Sequence, residues 1–159
     1  MEWQELCENP QLKDLPFKME LNHWGQIVMS PAKNAHSVLQ WEIQRTIYDL
    51  VGNHGKIIPE CAIQTSDNVK VADVAWISPE RYERVKHEIA YSQAPEICVE
   101  IISASNTKNE MLVKKDLYLA AGAQEVWICS MAGEMSFFDL SGELNQSELI
   151  KSFPAKLEI

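Results

Sequence analysis

At 159 residues, 46% of them hydrophobic, the chain is long enough to bury a core without disulfide or metal staples and suits one domain, 1–159. Its 14 basic against 23 acidic residues leave a net charge of −9, which disfavours nucleic-acid binding by the surface at large but not by a local groove or an ion-neutralised site. The four cysteines are scattered without zinc-like spacing, the first residues are acidic with no apolar signal core behind them, and no run approaches the roughly 20 apolar residues of a membrane span, so a reducing, cytoplasmic setting without membrane is expected.

In chain order, Trp3 and Leu6 mark a short helix ended by Pro10 and Pro16. Phe17–Leu21 and Gln26–Met29 read as a hairpin through Asn22 and Gly25, with Ser30-Pro31 breaking the chain. Ala35, Val38, Leu39, Ile43, Ile47, Leu50 and Val51 recur at helical spacing, with Asn34 as cap and Gly52 as stop. Strands are expected over 56–64 and 69–77, separated by a turn at Ser66-Asp67-Asn68, then a short helix from Pro79 to Val85. After a loop at Tyr91–Pro95, Ile97-Cys98-Val99-Glu100-Ile101-Ile102 is a strand apolar enough to be buried on both faces. Ser103-Ala104-Ser105-Asn106 can cap the following helix, 108–121, which Gly122 ends. Strands at 125–129 and 134–140 complete an α/β domain whose 97–129 portion is a βαβ unit.

Two acids stand out because they interrupt apolar strands. Glu100 has no exposed face to turn to, and an unpaired buried carboxylate costs several kcal/mol as an order of magnitude, so a basic side chain, a proton or a metal ion must compensate it. Asp73 interrupts Val69–Ile77 in the same way, and Lys114 lies in the next helix one turn before Tyr118. Two carboxylates near each other repel unless a cation lies between them. Oxygen-only ligands favour Mg²⁺ or Mn²⁺, which can polarise a phosphoryl oxygen and acidify bound water.

Lys18-Met19-Glu20-Leu21, Ala72-Asp73-Val74, Pro95 through Ser103, the run from Lys114 through Tyr118 to Gly122, and Glu125-Val126-Trp127 occur in an order that resembles the Uma-type restriction endonuclease family of the PD-(D/E)xK nuclease-like superfamily. The resemblance implies a restriction-endonuclease-like mixed β-sheet flanked by helices, with an N-terminal β-hairpin. It implies an Mg²⁺-dependent nuclease (Mn²⁺ as substitute) acting on phosphodiester bonds of nucleic acid, DNA before RNA. It places the metal ligands at Asp73 and Glu100, and the catalytic set at Asp73, Glu100, Lys114 and Glu20. The superfamily lysine usually sits two residues after the Glu; that position is Ile102, and its role passes to Lys114. Ala72 and Ala104 stand where prolines are usual. A homodimer is expected if both strands of a duplex are cut.

Plainer roles compete at each position. Asp73 can be a strand-end acid bonded to a neighbouring loop, Glu100 and Lys114 can form a purely structural buried pair, and Glu20 can project from the hairpin into water. Lys108 and Lys115 read as solvated, and Glu110, one turn before Lys114, as its surface ion-pair partner. The four histidines lack ligand spacing and read as structural or surface residues, with His36 placed to line a cleft. The tryptophans read as core, Trp24 at its turn excepted. A non-catalytic nucleic-acid-binding or protein-interaction module on the same scaffold, and a structural oligomer, are the alternative functions.

Overall fold

The computed structural model describes residues 1–31, 33–103 and 106–159. Helix α1 (Trp3–Glu8) precedes a separate antiparallel hairpin of β1 (Phe17–Leu21) and β2 (Ile27–Pro31). Then come α2 (Asn34–Val51), β3 (Lys56–Thr65), β4 (Asn68–Ile77), α3 (Pro79–Val85), β5 (Ile97–Ile101), α4 (Lys108–Ala120), β6 (Glu125–Cys129), β7 (Met135–Asp139) and β8 (Gly142–Leu144). Strands β3 to β8 form one mixed sheet in sequence order, antiparallel throughout except that β5 and β6 run parallel across the α4 crossover. The α/β architecture, mixed sheet, flanking helices and N-terminal hairpin all follow the expectation.

The sheet is covered on both faces. Leu39, Ile43 and Ile47 of α2 pack on Val74, Val99, Ile101 and Trp127, with Phe137 and Phe153 completing that layer. Tyr118 and Leu119 of α4 pack on Cys61, Ala72, Cys98 and Val126. Strand alternation therefore sends Val99 and Ile101 towards α2 and leaves Glu100 on the α4 side. Cys61, Cys98 and Cys129 are buried free thiols, as small hydrophobes in strands should be.

Several local expectations give way. Strand β2 continues through Ser30 to Pro31, which is tolerated because Pro31 is the last pair of a two-stranded edge, opposite Phe17. Asn34 is already helical and Lys33 occupies the cap position without a side-chain bond. The cap of α4 is Thr107, whose hydroxyl accepts from the Glu110 amide while the Glu110 carboxylate accepts from the Thr107 amide. That reciprocal box engages Glu110, which therefore does not partner Lys114. Ala104, with the rest of the polar stop at 104–105, lies outside the described residues. Lys115 is mostly covered, its ammonium over the Phe138 ring, whereas Lys108 is exposed as expected. Trp41 is 60% exposed on α2, so it joins Trp24, 75% exposed, outside the core. Strand β8 was not anticipated beyond its turn at Ser141-Gly142.

Candidate active site

The site lies where the sheet forks. β4 pairs with β5 only over Val74–Trp76, and beyond that point the strands separate. In place of a ladder bond, the Ile101 amide donates to Asp73 Oδ2 at 2.7 Å. On its other side Asp73 faces Glu60, which holds a left-handed φ of 53° and is skipped in the β3–β4 pairing. The Gln40 side chain of α2 fills this gap, donating to the Asp73 carbonyl at 2.7 Å and to the Glu60 carboxylate at 2.9 Å. The hairpin then docks on the freed part of β4. Glu20 Oε2 accepts from the Val71 amide at 2.8 Å, and the Lys70 ammonium donates to the Leu21 carbonyl at 2.9 Å.

This docking gathers Glu20, Asp73, Glu100 and Lys114 at one place. Asp73 and Glu100 are almost inaccessible, at 1% and 2% exposure. Lys114 reaches Glu20 Oε2 at 2.8 Å and Glu100 Oε1 at 3.0 Å. Tyr118, one turn along α4, donates its hydroxyl to Glu100 Oε1 at 2.6 Å, the length of a charge-assisted bond. Glu20 is therefore a buried member of the cluster and does not project into water.

Lys18 was not singled out from the sequence, yet it holds the centre. Its ammonium lies 3.0 Å from Asp73 Oδ1 and 3.1 Å from Glu100 Oε2, bridging the two strand acids. The available signal was strand periodicity: residues two apart on β1 share a face, so a site containing Glu20 must also receive Lys18. His36 is the second addition. Its Nε2 lies 3.4 Å from Asp73 Oδ1, while its Nδ1 is buried without a partner among the described residues.

The electrostatics follow from these contacts. Burial opposes ionisation of Asp73, but Lys18 and the bonds from His36 and the Ile101 amide outweigh it and hold the carboxyl well below its ordinary range. Glu20 is lowered as well, burial being offset by Lys114 and Lys18. Glu100 goes the other way: complete burial, with Asp73 and Glu20 nearby, lifts it despite both lysines. Burial would lower the Lys18 pKa, but Glu100, Asp73 and Glu20 raise it well above the usual lysine value. The bond to Asp73 raises His36 in turn.

The cluster forms the floor of a cleft of about 840 Å³. The cleft is also lined by residues of the 3–17 segment and β2, Leu15, Phe17 and Val28 being exposed among them, and by Glu110 and Met111 of α4. The donor set fits a hard divalent cation, since carboxylate oxygens of Asp73 and Glu100 already converge on one cationic group. Among the described residues no group of three or more His, Cys, Asp or Glu side chains is arranged to hold an ion, so the protein's share would be this pair. Mg²⁺ sites of that kind are completed by water and substrate phosphate. Residues 52–55 form the helix stop and the turn into β3.

No curated protein matches the chain. Among solved structures, a "putative nuclease belonging to DUF820" from Anabaena variabilis is similar, with a TM-score of 0.65 at 17% identity over 87% of this chain and 79% of that one, a likeness of fold. Among the described residues no helix is long and apolar enough to cross a membrane. The family described as "Uma2: Putative restriction endonuclease" matches residues 3–153, nearly the whole chain, and to that family the protein belongs.

Proposed function

We propose that the protein is a metal-dependent nuclease that hydrolyses phosphodiester bonds, with DNA as the first substrate to test and RNA as the second. The observation that carries this reading is the convergence of Asp73 Oδ1 and Glu100 Oε2 on one cation position at the floor of an open cleft. Asp73 and Glu100 would hold Mg²⁺ or Mn²⁺, which when bound would polarise a phosphoryl oxygen and acidify water. The chain's own residues supply the rest. The Ile101 amide and Gln40 fix Asp73 from side chain and carbonyl, so its other oxygen, Oδ1, is aimed before any ligand arrives. Tyr118 orients Glu100 in the same manner. Lys114, poised between Glu20 and Glu100, can orient the attacking water or stabilise charge on the phosphate in the transition state.

The complete internal pairing of the acids by Lys18 and Lys114 favours a second reading, a non-catalytic binding module whose cluster is only structural. Incubation of purified protein with single- and double-stranded DNA and RNA, with Mg²⁺, Mn²⁺ or EDTA, separates the two. Cleavage that requires the ion and disappears in Asp73→Asn and Glu100→Gln is the expected result. No cleavage of any substrate, together with a melting temperature indifferent to either ion, would refute the nuclease reading.

A further inference from the structure

We infer that Lys18 is a resident counter-cation, which holds Asp73 and Glu100 together in the ion-free protein and must be expelled before a divalent ion can bind between them. The inference rests on the metal reading of Asp73 and Glu100 given above. Its physical basis is that one position is contested: the ammonium contacts the same two oxygens that a bridging ion would take, at 3.0 and 3.1 Å. No other positive group links these two acids among the described residues, since Lys114 reaches Glu100 through its other oxygen and His36 reaches Asp73 alone.

The arrangement also allows the exchange. Lys18 is carried by β1 of a two-stranded hairpin outside the main sheet, and its side chain retains 12% exposure towards the cleft. The long stem can rotate outward without disturbing Glu20, which is held separately by the Val71 amide and Lys114. Expelled into the cleft, the ammonium would stand beside the phosphate that completes the ion's shell, turning an internal counter-ion into a substrate contact. Lys18 therefore sets how tightly the ion binds: apparent affinity is reduced by the fraction of molecules in which the ammonium has left.

Calorimetric titration of Mn²⁺ into the wild type, Lys18→Met and Lys18→Arg tests this. If the paired state outweighs the open one by about tenfold, Lys18→Met binds Mn²⁺ about tenfold more tightly than the wild type, and Lys18→Arg, whose fork can grip both acids, binds no more tightly. Lys18→Met should also melt lower than the wild type in EDTA and recover more of its stability with Mn²⁺. Should that variant fail to fold, NMR of the wild type with ¹⁵N-labelled lysine side chains gives the same answer: the protected Lys18 ammonium signal must be lost or shifted as Mg²⁺ binds. Equal Mn²⁺ affinity in the wild type and Lys18→Met, or an ammonium signal unchanged at saturation with Mg²⁺, overturns the exchange while leaving the metal site standing. No binding to the wild type or to Lys18→Met overturns the metal reading, and the exchange with it.

Discussion

Replacing Tyr118 by phenylalanine isolates the tie between α4 and the buried acid of β5. The Tyr118 ring is fully buried, so the phenylalanine ring fills the same space and no cavity opens. What disappears is the 2.6 Å hydroxyl bond to Glu100 Oε1, leaving Lys114 as that oxygen's partner among the described residues. A hydrogen bond to a charged group contributes about 1.5–3 kcal/mol, and no water can readily replace it where both partners are enclosed. The expected loss is therefore about 2 kcal/mol, or about 4–8 °C in Tm for a domain of this size. Urea denaturation followed by tryptophan fluorescence measures the first and calorimetry the second. Tyr48→Phe, on an exposed side chain, serves as the control and should leave both unchanged. A Tyr118→Phe loss below about 0.5 kcal/mol would refute the reasoning, because it would mean that the bond is not made to an ionised Glu100.

The acid cluster also fixes the response to pH. Because the Asp73 carboxyl is held well below its ordinary value of 3.8 in the fold, its ionised form stabilises the protein, fully above that value and progressively less as pH falls through and below it. Chemical denaturation of the ion-free protein between about pH 5 and pH 2 should show wild-type stability falling more steeply than that of Asp73→Asn; parallel curves would contradict this assignment. Away from the cleft, the buried Glu125 carboxylate accepts from the Trp127 indole, the Ser147 hydroxyl and the amides of Glu148 and Leu149. Glu125→Ala orphans all four donors and should cost about 3 kcal/mol or more, with limited proteolysis cutting first within 145–159 and Mn²⁺ binding unaffected. Protection of that segment equal to the wild type would show that the carboxylate does not anchor it.

Periodicity in the sequence determined most of the elements, because each buried face leaves a repeat: α2 through Leu39, Ile43 and Ile47, and β5 through its unbroken apolar run. It also exposed Asp73 and Glu100, since an acid inside such a run must be compensated and there are few ways to do it. The order of motifs pointed to Glu20 and Lys114. Local polar choices were harder to read. Whether Asn106, Thr107 or a neighbour caps α4 depends on a reciprocal bond with Glu110 that spacing alone permits at several positions.

The partners of the acids were decided only by tertiary structure. Lys18 lies 55 residues from Asp73 and 82 from Glu100 in sequence, and it meets both because the β4–β5 ladder stops at Val74 and lets the hairpin dock beside the fork. Strand alternation states that Lys18 and Glu20 share a face; it does not state which surface that face meets. Burial itself is a local property written in residue type, whereas the identity of a compensating charge is a property of how distant segments pack, and the chain records it only after folding.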